Sequence, residues 1–393
     1  MTPAARVQAA IELLDEIIHA AASGGAAADT LIARYFKTRR YAGSKDRRAV
    51  RDFVYASIRR SGERPSSGRA AMLGLADDQE GLAALFDGSA HGPAIVAPDE
   101  ERAAAAVVPA WLAPRFDPLL DASEQAALLE RAPLDLRANR LKTDRDEVLP
   151  QLQGATPSPL SPIGIRLAEG TAIEDHSAYR GGLIEVQDEG SQLLVLACKA
   201  APGMSVVDLC AGAGGKTLAL AGEMANQGRI IASDVDRSRL SRMTPRLERA
   251  GASIVEARLL NPGAEFETLS KFEGSADIVL VDAPCSGTGT WRRNPETRWR
   301  LDEKRLARLG ALQSSILDVA ARLVKPGGYL VYAVCSVLAE EGRGQADAFA
   351  RRHSSFVPEQ ALSNVGRPSG VGTLLTPQHD GTDGFFVARW QLA

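Results

Sequence analysis

The chain has no apolar run approaching the ~18 residues that a membrane-spanning helix needs. Glu12, Asp15 and Glu16 interrupt the apolar stretch between Met1 and Ala22, so no secretory signal is expected there. These absences point to the cytoplasm. Cysteine is scarce: Cys198, Cys210, Cys285 and Cys335, with no CxxC pair among them. That excludes a zinc knuckle and argues against a disulfide framework in a chain of 393 residues. No metal site is expected. Lysine is also scarce, at 8 of 46 basic residues. The remaining cations are arginines, which suit bidentate phosphate contact. The net charge of −3 argues weakly against a nucleic-acid partner, but the distribution of charge matters more than its sum.

At roughly 100–200 residues per domain, this length implies two or three domains. Residues 1–60 read as helical, with Val7, Ile11, Leu14, Ile17 and Ile18 at helical spacing. Ten Lys/Arg and two Asp lie between Arg34 and Arg60, forming either a solvated face or a phosphate-facing patch. Residues 61–108 suggest loops and short helices. Ser123 is a candidate cap for a helix to about Arg131, and Leu136–Leu141 alternates like a strand. The expected organisation is a helical domain over 1–130, a small α+β subdomain over 131–190 and an α/β domain over 191–393. In the last, apolar strands 206–209, 229–234, 278–282 and 329–334 alternate with helices, and 385–388 forms a final strand. This pattern implies a largely parallel sheet covered on both faces, with ligands beyond the carboxyl ends of its strands.

Three constellations carry chemistry. Asp208-Leu-Cys-Ala-Gly-Ala-Gly-Gly-Lys-Thr217 is a strand, a glycine turn and a helix start, where backbone N–H groups can meet a ligand. Asp234 ends the next strand and could accept from ribose hydroxyls. The turn matches neither a Walker A loop nor GxGxxG, so a nucleoside cofactor other than a nicotinamide is favoured. Asp282-Ala-Pro-Cys285 and Tyr332-Ala-Val-Cys-Ser336 follow two core strands and bring two cysteines to one rim. Residues 291–308 hold seven Lys/Arg, three acids, Trp291 and Trp299. They could form a base-stacking, backbone-tracking surface or a salt-bridged helix with core tryptophans.

These segments, in this order, resemble the Sun family of RNA 5-methylcytosine methyltransferases, and its RsmB-like members in particular. Gln187-Asp-Glu-Gly-Ser191 and Asp383-Gly-Phe-Phe386 fit the same pattern, as does Arg137-Ala-Asn139. The resemblance implies a Rossmann-like S-adenosylmethionine methyltransferase domain, a NusB-like helical N-terminal domain and an α+β linker subdomain. It implies ribosomal RNA, of the small subunit, as substrate; transfer RNA and a non-catalytic assembly role are the alternatives. Cys335 would be the nucleophile, Cys285 would assist release, and Asp282 and Lys216 would complete the catalytic group. Cys210, Ala211, Gly212, Ala213, Gly214, Gly215, Lys216, Asp234 and Asp282 would hold the cofactor. Arg137, Asn139, Arg292 and Arg293 would face RNA. The acid usual after the third strand of the domain is missing, and Asn261 or Glu256 could stand in for it.

Overall fold

The structure is a computed structural model and describes residues 1–393. Its contacts divide the chain into two compact units. The first comprises Met1–Phe116, Asp121–Glu130 and Thr290–Glu303, and the second comprises the remainder.

The first unit is built on helices Pro3–Ser23, Ala28–Thr38, Ser44–Arg60 and Gly68–Asp78. In the first helix Pro3 stands at the start, where no intrahelical donor is lost, and the Thr2 hydroxyl accepts from the Ala5 N–H at 3.1 Å. Gly24 ends it in a left-handed conformation. Val7, Ala10, Leu14, Ile17 and Ala21 form its buried stripe, packed with Ile32, Val50, Val54, Ile58 and Leu73. Trp299, distant in sequence, is part of the same core. The short helix Ala122–Ala127 is capped by Asp121, whose carboxylate accepts from Glu124 N–H, and not by Ser123 as the sequence suggests. Ser123 donates to that same carboxylate.

The second unit holds two sheets. The smaller is antiparallel and contains β1 (Leu134–Ala138), β2 (Thr156–Pro157), β3 (Gly164–Leu167) and β4 (Ile184–Val186), in the order β2-β3-β1-β4. Leu136, Val148, Ile165 and Ile184 fill its core. The larger has nine strands: β5 (Ser205–Asp208), β6 (Arg229–Asp234), β7 (Val255–Leu259), β8 (Ala276–Asp282), β9 (Val324–Val334), β10 (Phe356–Glu359), β11 (Arg367–Ser369), β12 (Gly372–Leu375) and β13 (Phe385–Leu392). Its order is β11-β12-β13-β9-β8-β5-β6-β7, with β10 paired to β13. Strands β5 to β9 are mutually parallel, whereas β13 and its neighbours run antiparallel. Ile278, Val279, Leu280 and Val281 are all fully buried, as a parallel strand covered on both faces requires.

Three further elements differ from the sequence reading. The strand expected over Leu136–Leu141 lies at Leu134–Ala138. Pro326-Gly-Gly328 is expected as a turn before a strand. It lies instead within β9, where Ala276 pairs with Val324 and Ile278 with Tyr329, so the extra residues bulge out of register. The helix expected over 236–250 is broken into Arg237–Ser241 and Met243–Ala250, with Pro245 in the first turn of the second piece.

Candidate active site

The carboxyl ends of the parallel strands gather Asp208 (β5), Asp234 (β6) and Asp282 (β8), with Cys335 just past β9. In register Asp282 lies beside Ala333, two residues before Cys335. The turn after β8 carries Cys285, and its sulfur is 3.3 Å from that of Cys335. Both thiols are free and partly exposed. A second tie between these turns is the Gly289 N–H donating to the Cys335 carbonyl at 3.1 Å. Gly289 is a position only glycine can fill, because a Cβ there would stand 1.9 Å from the Gly384 carbonyl oxygen. This close approach is the structural use of Asp383-Gly-Phe-Phe386. Asp383 N–H in turn donates to Asp188, within Gln187-Asp-Glu-Gly-Ser191.

Lys216, at the start of helix Gly215–Glu223, donates from Nζ to Asp282 Oδ2 at 2.6 Å. Burial works against the charge on Lys216. The Asp282 carboxylate outweighs it and holds the ammonium above its ordinary range, and the Cys335 sulfur adds to the effect. Cys285 is pushed well above the usual thiol range by its hydrogen bond with Cys335, then by burial, then by the charge interaction with the same Cys335 sulfur, and after these by the negative charge on Glu341. Burial, reinforced by Asp282, Asp208 and Asp234, does the same to Cys210. Asp208 is raised to about 7, chiefly by burial, even though the Thr217 hydroxyl donates to it at 2.7 Å. Cys198 lies fully buried in the core and takes no part.

The glycine turn is held by its neighbours. Ala211 N–H donates to the Ser233 carbonyl at 2.9 Å, and Gly212 N–H to Asp234 Oδ2 at 2.8 Å. Asp234 Oδ1 accepts from Asp236 N–H at 2.7 Å. Arg246 donates to the Ala213 carbonyl at 2.8 Å. Gly214 is left-handed and packs so closely on Met243 that a Cβ would come within 2.6 Å of its side chain. Above Gly212 and Gly215, by contrast, a Cβ would meet nothing within 4 Å, so one side of the turn is open.

The residues expected to face RNA are placed differently. Arg137 and Asn139 are buried. Arg137 donates to Gln187 Oε1 at 2.7 Å, and Asn139 Nδ2 donates to the carbonyls of Gly182 and Ala250 at 2.7 and 2.9 Å. They tie strands and helices together within the second unit. Trp291 and Trp299 are also buried, which rules them out as exposed stacking platforms. Arg292 is buried and Arg293 half-buried. Segment 290–303 is an internal strap of the helical unit. Arg298 sends its guanidinium to the carbonyls of Ile58, Arg59 and Val107, Trp299 Nε1 donates to the Ser61 carbonyl, and Glu296 accepts from Ala28 N–H. Exposed cations of this unit cluster in the sequence on either side of Tyr41, which is 73% exposed: Arg34, Lys37, Arg40, Lys45, Arg47 and Arg48. The one acid between Arg34 and Arg48, Asp46, is engaged by Arg6 at 2.9 Å.

Sequence reasoning gave Glu341 no task. It is completely buried and accepts from Ser286 N–H and Gln313 Nε2, both at 2.9 Å, and from the hydroxyls of Ser286 and Ser336. The available signal was the Cys-Ser dipeptide occurring twice, at 285–286 and 335–336.

The family described as 16S rRNA methyltransferase RsmB/F matches residues 195–391. The chain belongs to this family. It is 35% identical over 288 residues to ribosomal RNA small subunit methyltransferase B of Salmonella newport (strain SL254), covering 72% of this chain and 65% of that protein. The chain thus spans a little under two thirds of that relative. The crystal structure of PH0851 superposes with a TM-score of 0.78 at 25% identity, covering 99% of each chain. A methyltransferase homolog protein from Pyrococcus horikoshii gives 0.60 at 26% identity, over 68% of this chain and 89% of that one. The larger sheet is that of S-adenosylmethionine methyltransferases, and S-adenosylmethionine is the family's cofactor. The residues present fit it: the glycine turn is open on one side, Asp234 has acceptor capacity beyond its two backbone partners, and Asp208 Oδ1 is buried without a partner.

Proposed function

We propose that this chain methylates carbon 5 of a cytosine in RNA, with small-subunit ribosomal RNA as the substrate, in the cytoplasm. The observation that carries the reading is the pair of sulfurs 3.3 Å apart at the carboxyl edge of the sheet, beside the Lys216–Asp282 pair.

Carbon 5 of cytosine is a poor nucleophile. The Cys335 thiolate adds through sulfur to carbon 6, and the new C–S bond turns carbon 5 into an enamine carbon. Lys216 supplies a positive neighbour for this sulfur. Asp282 uses one oxygen for Lys216, and the other is available to accept from the cytosine amino group. S-adenosylmethionine supplies the methyl group, and the residues that would hold it are the turn from Cys210 to Lys216, Asp234 and Asp282. After carbon 5 is methylated, loss of its proton and cleavage of the carbon 6–sulfur bond return Cys335. Cys285 assists this release from its position against the same sulfur. The target base must leave its stack to reach both cysteines. The exposed cations on either side of Tyr41 are suited to phosphate contact outside the active site.

The test incubates the protein with ribosomal RNA lacking the modification and with cofactor labelled in its methyl group. Label on carbon 5 of a cytosine is expected. Label on an adenine or on a protein side chain would overturn the reading, and bisulfite mapping of total RNA identifies the nucleotide and separates ribosomal from transfer RNA.

A further inference from the structure

We propose that Glu341 is a positioning residue: its buried carboxylate ties the Cys285 turn to the Cys335 turn and makes the two sulfurs unequal partners. The proposal deepens the methylation reading and concerns the same site.

Each turn gives Glu341 the residue directly after its cysteine. Ser286 donates through both its N–H and its hydroxyl, and Ser336 donates its hydroxyl at 2.6 Å. Gln313, from helix Glu303–Leu323, closes the other side, and the Tyr332 hydroxyl donates to the Glu341 backbone carbonyl at 2.7 Å. Thr288 completes the network: its hydroxyl is 3.1 Å from that of Ser336 and accepts from Val337 N–H at 3.0 Å. A carboxylate without solvent needs such a set of donors, and here nearly all come from the two cysteine turns and their supports. The Glu341 carboxylate thus braces both cysteine turns from behind, through the serines next to the two sulfurs.

The carboxylate also distinguishes the two sulfurs. The ionisable side chains that act most strongly on Cys285 are Cys335 and Glu341, and both oppose a thiolate there. Cys335 has Lys216 as a charged neighbour. Glu341 thus favours a protonated Cys285 beside a nucleophilic Cys335, the division of labour that attack and release require.

The test needs neither RNA nor cofactor, so its failure and the failure of the methylation reading are distinguishable. Full-length wild type and Glu341→Gln are alkylated with iodoacetamide across pH, and each cysteine is quantified by peptide mass spectrometry. In folded Glu341→Gln the Cys285 profile is expected to move to lower pH. Its rate at a fixed pH below the transition should rise about tenfold if the midpoint falls by one pH unit. The second readout is cross-linking by diamide, a diazene that oxidises two adjacent thiols to a disulfide and is itself reduced to the hydrazine. Ser286→Ala keeps the carboxylate but cuts one tether, and its cross-linking is expected to slow several-fold while the Cys285 pH profile stays in place. A folded Glu341→Gln with an unmoved Cys285 profile overturns the proposal. If Glu341→Gln does not fold, Ser286→Ala with wild-type cross-linking overturns it.

Discussion

Lys216 Nζ and Asp282 Oδ2 are 2.6 Å apart, although 66 residues separate them in the chain. One sits at the start of the helix after β5 and the other at the end of β8, so the pair spans the two adjacent strands at the centre of the parallel sheet. Lys216→Met would leave Asp282 without its cation and Cys335 without its positive neighbour. Methyl transfer to ribosomal RNA should fall by about 10²-fold or more, with retention of the fold measured by circular dichroism. Arginine, planar and larger, should not restore the rate.

Asp208 gives the fold a pH dependence of unusual sign. Its carboxyl is raised to about 7 in the folded chain, mainly by burial. Between an unfolded value of about 3.9 and this folded value, the folded state binds the extra proton. Its contribution is therefore present at low pH and is lost as pH rises through about 7. Asp208→Asn, which can still accept from Thr217, removes this contribution. Denaturant titrations between pH 5 and pH 8 should show a flatter or more upward slope for the variant than for wild type.

Arg298 is a structural test of the helical unit. Its guanidinium serves the carbonyls of Ile58, Arg59 and Val107, and burial, with Arg59 nearby, lowers it to about 9. Arg298→Ala strands buried acceptors and should cost about 3 kcal/mol or more, read as a drop in melting temperature. A lysine lacks the planar fork and should recover little of the loss.

The exposed cations on either side of Tyr41 allow a test of the proposed phosphate contact. Replacing Arg34, Lys37 and Arg40 together with glutamate should weaken RNA binding without changing the melting temperature. If all three meet phosphates, the slope of log affinity against log salt should become shallower by about 2 to 3. An unchanged slope would remove this surface from the RNA path.

The glycine turn, Asp234 and both cysteines could be read in the sequence because each lies within or just past a strand whose apolar run marks its end. Segment 290–303 could not be assigned in the same way. Its cations and tryptophans fit an exposed surface as well as a core, and only contacts with residues more than two hundred positions away place Trp299 among the helices. Arg137 and Asn139 were hidden for a similar reason: their partners Gln187, Gly182 and Ala250 come from other elements. The β9 bulge is a local surprise. Proline and glycine there signal a turn, but β8 continues the pairing on either side of them, so the segment becomes a bulge within β9.

In the proposed cycle Cys335 bonds to the pyrimidine and Cys285 takes part in its release. The decisive measurement incubates Cys285→Ala with ribosomal RNA and S-adenosylmethionine, then digests the mixture and maps it by mass spectrometry. A covalent RNA adduct should accumulate on Cys335. The absence of any adduct, or a trapped adduct appearing instead in Cys335→Ala, would contradict this assignment of the two sulfurs.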